Sequence, residues 1–244
     1  MPDFSQLRAR MVDTKVARRG VRDAAVLRAM YAVPREAFVD PGFEQFAYED
    51  SPLPIGEGQT ISQPYLVALM IEAAELRPPD RVLEVGAGSG YAAAVMSRIA
   101  ACVCTVERHA TLADSAKRRF EALGYDNIEL RVGDGSLGWL EAAPFDAILV
   151  AAGAPDVPEA LKTQLRIGGR LIVPVGQQCD QMLLKIVRTG ERSFEHEELG
   201  GVRFVPLVGE QGWAEESRRG AITDGSGAFS RRRRTFAELF CYIR

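Results

Sequence analysis

Glu84-Val85-Gly86-Ala87-Gly88-Ser89-Gly90-Tyr91 is the stretch whose reading decides the fold. The residues before it, Arg81 to Val85, read as a short apolar strand. Those after it, Gly90 to Ile99, read as a helix. A strand that ends in Gly-x-Gly-x-Gly and opens a helix turns backbone N–H groups toward a bound ligand. Glycine is required there because a Cβ holds the ligand away or forbids the turn. The dinucleotide fingerprint places its third glycine where this chain has Tyr91. That spacing argues against NAD or FAD. It suits a nucleotide-like ligand with no pyrophosphate to cradle, such as S-adenosyl-L-methionine.

Working outward, the chain alternates. Strands are expected at Val103 to Glu107, Ile128 to Val132, Phe145 to Ala151 and Gly169 to Val175. Helices are expected at Thr111 to Leu123 and from Pro158 through Leu165. The strands are short, continuous and apolar, as in a parallel sheet buried on both faces. Alternation of this kind argues for an α/β, doubly wound, Rossmann-like sheet. Met182 to Arg188 and Val202 to Val208 read as a C-terminal antiparallel strand pair. Upstream, residues 5–31 place Val21, Ala24, Ala25, Leu27 and Met30 at helical spacing, giving one or two N-terminal helices. Val33-Pro34-Arg35 breaks that pattern, and residues 40–63 form a long loop rich in Pro, Gly and aromatics. A loop of that length in a compact domain is usually functional. Pro64 starts a helix through about Ala74, and Pro78-Pro79-Asp80 ends it. One domain is expected over 1–213, with N-terminal helices and substrate loop in 1–63 and a cofactor-binding core in 64–213. Residues 214–244 form a C-terminal extension.

Composition narrows the function classes. A formal net charge of −3 provides no general field for nucleic acid. The run Arg231-Arg232-Arg233-Arg234 reads as a solvated segment or as a contact for an acidic partner or nucleic-acid phosphate. Cys102 and Cys104 point to one face of a strand, which is neither a redox pair nor zinc-ligand spacing, and they read with Cys179 and Cys241 as free thiols. No metal site is expected. No apolar run approaches the roughly 18 residues of a membrane span, and no signal core opens the chain. A soluble, cytoplasmic protein is expected, as a monomer. His109 and His196 read as surface residues.

Two further motifs follow the glycine turn. Glu107 closes the next strand, where an acidic side chain can take both ribose hydroxyls; the competing reading is a surface carboxylate. Gly133-Asp134-Gly135 follows the third strand, where Asp134 can accept from an adenine amino group or simply form a turn. Leu53-Pro54-Ile55-Gly56-Glu57-Gly58-Gln59-Thr60-Ile61-Ser62-Gln63-Pro64-Tyr65 combines glycines, amides and small hydroxyls directly before a helix start.

With these pieces the chain resembles the protein-L-isoaspartate O-methyltransferase family over roughly residues 10–213. The resemblance rests on Val33 to Val39, Leu53 to Tyr65, Val82 to Tyr91, Val106-Glu107-Arg108, Gly133-Asp134-Gly135, Ala143 to Ile148, Gly168 to Gly176 and Phe204 to Leu207. The segment Gly58 to Pro64 is specific to that family; the glycine turn alone implies only a class I methyltransferase. The resemblance implies methylation of the free α-carboxylate of L-isoaspartyl residues in damaged proteins and peptides. The ester then collapses to a succinimide. S-adenosyl-L-methionine is the implied donor and S-adenosyl-L-homocysteine the product. Ser62 is the implied catalytic position, and Gln59, Thr60, Ile61 and Ser62 border cofactor and substrate. Glu84, Gly86, Ala87, Gly88, Glu107, Arg108, Gly133, Asp134, Gly135 and Gln211 are implied to hold the cofactor. The chain departs from the pattern at Val150-Ala151, where the family often has threonine after valine, and in its long tail.

The chemistry asks for little beyond positioning. A carboxylate with a pKa of roughly 3 to 4 is already ionised at neutral pH, so no general base is needed. A hydroxyl such as Ser62 can bond one carboxylate oxygen and aim the other; its competing reading is a helix N-cap. Two other functions share these motifs: methylation of an aspartate in a dedicated partner peptide, and cofactor binding without turnover.

Overall fold

The computed structural model describes residues 3–178 and 180–215. Cys179, Cys241, the arginine run and the chain from 216 onward lie outside the described residues.

Four strands build a parallel sheet: β3 (Arg81–Val85), β4 (Cys102–Glu107), β5 (Ile128–Val132) and β6 (Phe145–Val150). β7 (Leu165–Gln177) continues it in parallel, and β8 (Asp180–Arg188) and β9 (Phe194–Val202) close it antiparallel. The seven-stranded order is β5-β4-β3-β6-β7-β8-β9. The chain winds outward from β3 to one side and from β6 to the other. Ligands of such sheets bind at that switch point, beyond the carboxyl ends of the strands. β3 and β6 are apolar because helices cover both sheet faces; Val82, Leu83, Ile148 and Val150 are all wholly buried.

α4 (Tyr91–Ser97) and α5 (Ala110–Leu123) pack on one face, and α6 (Glu159–Thr163) on the other. Over α4 lies an N-terminal module of α1 (Phe4–Met11), α2 (Ala24–Ala32) and α3 (Pro64–Ala73). Asp3 and Asp23 cap α1 and α2 through their side chains. Tyr91, the residue that replaces the third fingerprint glycine, is buried under this module edge-on to Phe38, with ring centroids 5.7 Å apart. No helix among the described residues is long and apolar enough to cross a membrane.

The expected loop over residues 40–63 contains a short 3-10 turn, Glu44–Phe46, and a small hairpin of β1 (Leu53–Pro54) and β2 (Thr60–Ile61). The antiparallel finish also differs from expectation. The last strand is Phe194–Val202 rather than Val202 to Val208. It is a sheet edge with exposed Glu195, His196, Glu197 and Glu198, so it lacks the apolar run by which a buried strand is recognised. Charged side chains of this kind protect an edge from pairing with other chains. After Val202 the chain instead crosses the sheet end, held by the Gln181 side chain of β8 at Phe204 and by the isolated bridge of Pro206 to Gly153.

Arg170 on β7 ties the sheet to the α3–β3 connection. Its Nε donates to Ala74 O at 2.7 Å, and its Nη2 to Glu75 O at 2.8 Å and to Asp80 Oδ2 at 3.1 Å. Both members of the ion pair are largely buried. Removing Arg170 leaves the Asp80 carboxylate without its cation, so Arg170→Ala is expected to lower unfolding free energy by about 3 kcal/mol. Urea denaturation of the cofactor-free protein measures it.

Candidate active site

The glycine turn leaves β3 and is fixed at once by β4. Gly86 N donates to Val106 O at 2.8 Å, and Gly88 N to Glu107 Oε2 at 2.9 Å. The other oxygen of Glu107 accepts from His109 N at 2.9 Å. Glu107 is therefore buried between the turn and the head of α5, not a surface carboxylate. Beside it, Glu84 is wholly buried and accepts from Thr105 Oγ1 at 2.7 Å. Burial pushes the Glu84 carboxyl up to about 8, and the Glu107 charge adds to the shift.

The second wall is the β1–β2 hairpin. Gln59 N donates to Gly56 O at 2.8 Å, and Ile55 N to Gln59 O at 3.1 Å. A Cβ on Gly88, whose φ is +53°, would stand 3.1 Å from Ile55 Cδ1. Glycine thus lets the hairpin close onto the cofactor turn. Ser62 follows the hairpin. Its carbonyl accepts from Arg35 Nη2 at 2.8 Å, and its hydroxyl has no partner among the described residues. The helix N-cap is Gln63 rather than Ser62, and the Tyr65 amide is satisfied by Asp50 Oδ1 at 3.1 Å. The N-cap reading of Ser62 is corrected: Ser62 caps nothing, because it lies outside the first helical turn.

The third wall is the strap after Val202. Gly153 N donates to Val205 O, and Leu207 N to Gly153 O, both at 2.8 Å. Asp134 anchors the far end of this strap. Its Oδ1 accepts from Ser136 N and Oγ, and its Oδ2 from Glu210 N at 2.7 Å. A Cβ on Gly209 would sit 2.0 Å from Asp134 Oδ1, so only glycine passes there.

Together the walls enclose a solvent-open cleft of about 830 Å³ at the β3–β6 switch point. It brings together Gln59, Thr60, Ile61, Ser62, Glu84, Gly86, Ala87, Gly88, Glu107, Arg108 and Gly135. Gly133 and Asp134 line a neighbouring recess with Arg108, Val208 and Trp213. Gln211 lines neither. Its Oε1 accepts from Ala160 N at 2.9 Å, which turns the side chain toward α6. His109, expected at the surface, lines the cleft with Nδ1 3.8 Å from Glu57 Oε2 and Nε2 buried without a hydrogen-bond partner among the described residues. Its place two residues beyond Glu107, at the head of a helix, was the available signal. Ala151, Ala152 and Val205 to Val208 also line the cleft; apolar or backbone wall residues carry no chemical signature in a sequence.

The family model of protein-L-isoaspartate(D-aspartate) O-methyltransferases matches residues 6–212. A protein-L-isoaspartate O-methyltransferase of Brucella anthropi is 55% identical over 216 residues, covering 88% of this chain and 99% of that protein. One from Methylorubrum extorquens is 58% identical over 215 residues, covering 88% and 94%. A solved protein-L-isoaspartate O-methyltransferase superposes with a TM-score of 0.77 at 34% identity, covering 89% of this chain and 71% of the other. A Plasmodium falciparum candidate protein-L-isoaspartate O-methyltransferase, solved with S-adenosyl-L-homocysteine, gives 0.72 at 27% identity, covering 85% and 99%.

Glu84 makes the stability of the cofactor-free protein pH-dependent. Its carboxyl titrates near 8 in the fold against an ordinary value of 4.5. Between those values the folded protein holds a proton that the unfolded chain has released, so stability falls as pH rises. The expected loss is roughly 3 kcal/mol between pH 5 and 8. Urea unfolding across that range should show this slope, and Glu84→Gln should flatten it.

Proposed function

Because this chain belongs to the protein-L-isoaspartate(D-aspartate) O-methyltransferase family, we propose that the cleft between the Gly86–Gly88 turn and the Gln59–Ser62 wall is where its methyl transfer takes place. The enzyme methylates the free carboxylate of L-isoaspartyl residues with S-adenosyl-L-methionine as donor. The observation that carries the site assignment is the meeting of the hairpin with the glycine turn at Ile55 and Gly88. It puts Ser62, the position implied as catalytic, in the same cleft as the nucleotide-binding turn.

The residues present fit the cofactor. The cleft end beneath the turn carries two buried carboxyls, Glu84 and Glu107, which favour a cationic ligand. Bound S-adenosyl-L-methionine supplies a methyl group on a cationic sulfur. Glu107 offers its remaining lone pairs to ribose hydroxyls while the Gly88 and His109 amides hold it in place. Gly86, Ala87 and Gly88 present backbone along one side, with Arg108 and Gly135 beside them. Gly133 and Asp134 border the adenine end, where Asp134 also holds the strap closed. Gln211 supports that closure, its Oε1 accepting from Ala160 N and its backbone N–H donating to Ser136 Oγ.

At the acceptor end no residue has to remove a proton, since the isoaspartyl carboxylate arrives ionised. Ser62 donates its hydroxyl, which has no partner among the described residues, to one carboxylate oxygen and leaves the other to attack. Alignment of reacting groups is where an enzyme of this type gains its rate. The Gln59–Ile61 wall and the Val205–Val208 strap flank the junction. The enzyme acts as a cytoplasmic monomer on damaged proteins and peptides, with one methyltransferase domain over 1–213 and an extension beyond it.

Ser62→Ala is expected to lower kcat on an isoaspartyl peptide roughly 10-fold or more. Affinity for S-adenosyl-L-homocysteine, measured by calorimetry, should stay within about twofold, because this role of Ser62 concerns the acceptor. Wild-type turnover by the variant would remove Ser62 from the mechanism.

A further inference from the structure

Arg35 is 0% exposed, yet it forms no ion pair with any described carboxylate. Its Nε donates to Ala47 O and its Nη2 to Ser62 O, each at 2.8 Å. Its Nη1 has no hydrogen-bond partner among the described residues. The guanidinium carbon lies 4.7 Å from the centroid of the Tyr91 ring. A buried cation without a counter-ion is costly. Desolvation pulls the pKa of Arg35 down to about 10, while Tyr91, Asp50 and Tyr48 act in the other direction. The group therefore stays charged at neutral pH. Two carbonyls could be satisfied by a neutral amide, so hydrogen bonding alone does not account for a charge at this position.

The contacts of Arg35 explain what the charge can serve. Ala47 follows the 3-10 turn of the long loop, Ser62 ends the acceptor wall, and Tyr91 opens α4 and lines the cleft. These three elements have no sequence proximity, and the fork of one side chain holds them together. The cofactor end of the cleft carries Glu84 and Glu107. Arg35 lies behind the opposite wall, bonded to the peptide of the residue that faces the acceptor. Glu84 and Glu107 line the cleft itself, whereas the Arg35 cation stands behind it on the Ser62 peptide.

We propose that Arg35 is the positioning residue of the acceptor site, fixing the Ser62 peptide against Tyr91 and drawing the substrate carboxylate toward it by its buried charge. This rests on the reading of Ser62 as the acceptor-aligning group. Two roles are combined, and two substitutions separate them. Arg35→Lys keeps the charge but loses the planar fork that reaches both carbonyls. Arg35→Gln keeps hydrogen-bonding capacity but loses the charge.

The experiment measures steady-state kinetics on an isoaspartyl peptide, normalised to the folded fraction counted by S-adenosyl-L-homocysteine titration. For Arg35→Lys the expected result is a fall in kcat of about 10-fold with peptide KM changed less than about threefold. For Arg35→Gln, peptide KM should rise about 10-fold as well. A residue that only supports folding would reduce the folded fraction and leave both constants of the remaining enzyme unchanged; that outcome overturns the proposal. If Arg35→Gln does not fold, Arg35→Lys decides through kcat. The double variant with Ser62→Ala links the two readings. If Arg35 aligns through Ser62, adding Arg35→Lys to Ser62→Ala should lower kcat by less than about twofold further. If Ser62→Ala alone turns over normally, the Ser62 reading fails, and the peptide KM of Arg35→Gln still decides whether the charge serves the acceptor. An unchanged KM there overturns that part.

Discussion

Glu107 accepts from Gly88 N and from His109 N at 2.9 Å each, and through those two bonds the end of β4 dictates where the glycine turn and the head of α5 can lie. Much of the cleft depends on this placement. The turn must hold its left-handed glycines against Glu107, which leaves its outer side free for a ligand. Burial raises the pKa of Glu84 beside it, and the neighbouring Glu107 adds to that shift. A buried pair of carboxyls at one end of a cleft is destabilising alone and favourable once a cation is bound.

The remaining walls come from both ends of the chain. The N-terminal module buries Tyr91 and Phe38 and supports the hairpin that meets the turn at Gly88. Arg35 connects that module to Ser62. On the other side, the strap after β9 is laid onto Gly153 and anchored by Asp134. The parallel sheet supplies the donor end, and the additions to it build the acceptor end. One sheet can serve many chemistries, and what covers its carboxyl edge specialises it.

Legibility in the sequence followed burial. β3, β4 and β6 were readable because both faces of each strand are covered, so their residues are apolar in continuous runs. β9 was missed because an exposed edge selects charge, and Val202 to Val208 looked like a strand because a strap lying on the sheet end also buries Phe204 and Leu207. Asp134 was legible as a site residue but not as the anchor of Glu210, a contact across 76 positions. His109 looked like a surface residue, since nothing local indicates that Glu57 and the cleft lie beside it.

The sequence by itself determined the class of fold, the position of the nucleotide turn and the family, because those depend on local periodicity, on glycine spacing and on a contiguous motif from Gly58 to Pro64. Only the tertiary structure decided which face of each motif is used. It turned Gln211 toward α6, freed Ser62 from helix capping, and buried Arg35 behind it with no ion pair among the described residues. The physical reason is that hydrogen-bond partners and desolvation are set by residues distant in the chain, and no local pattern records them.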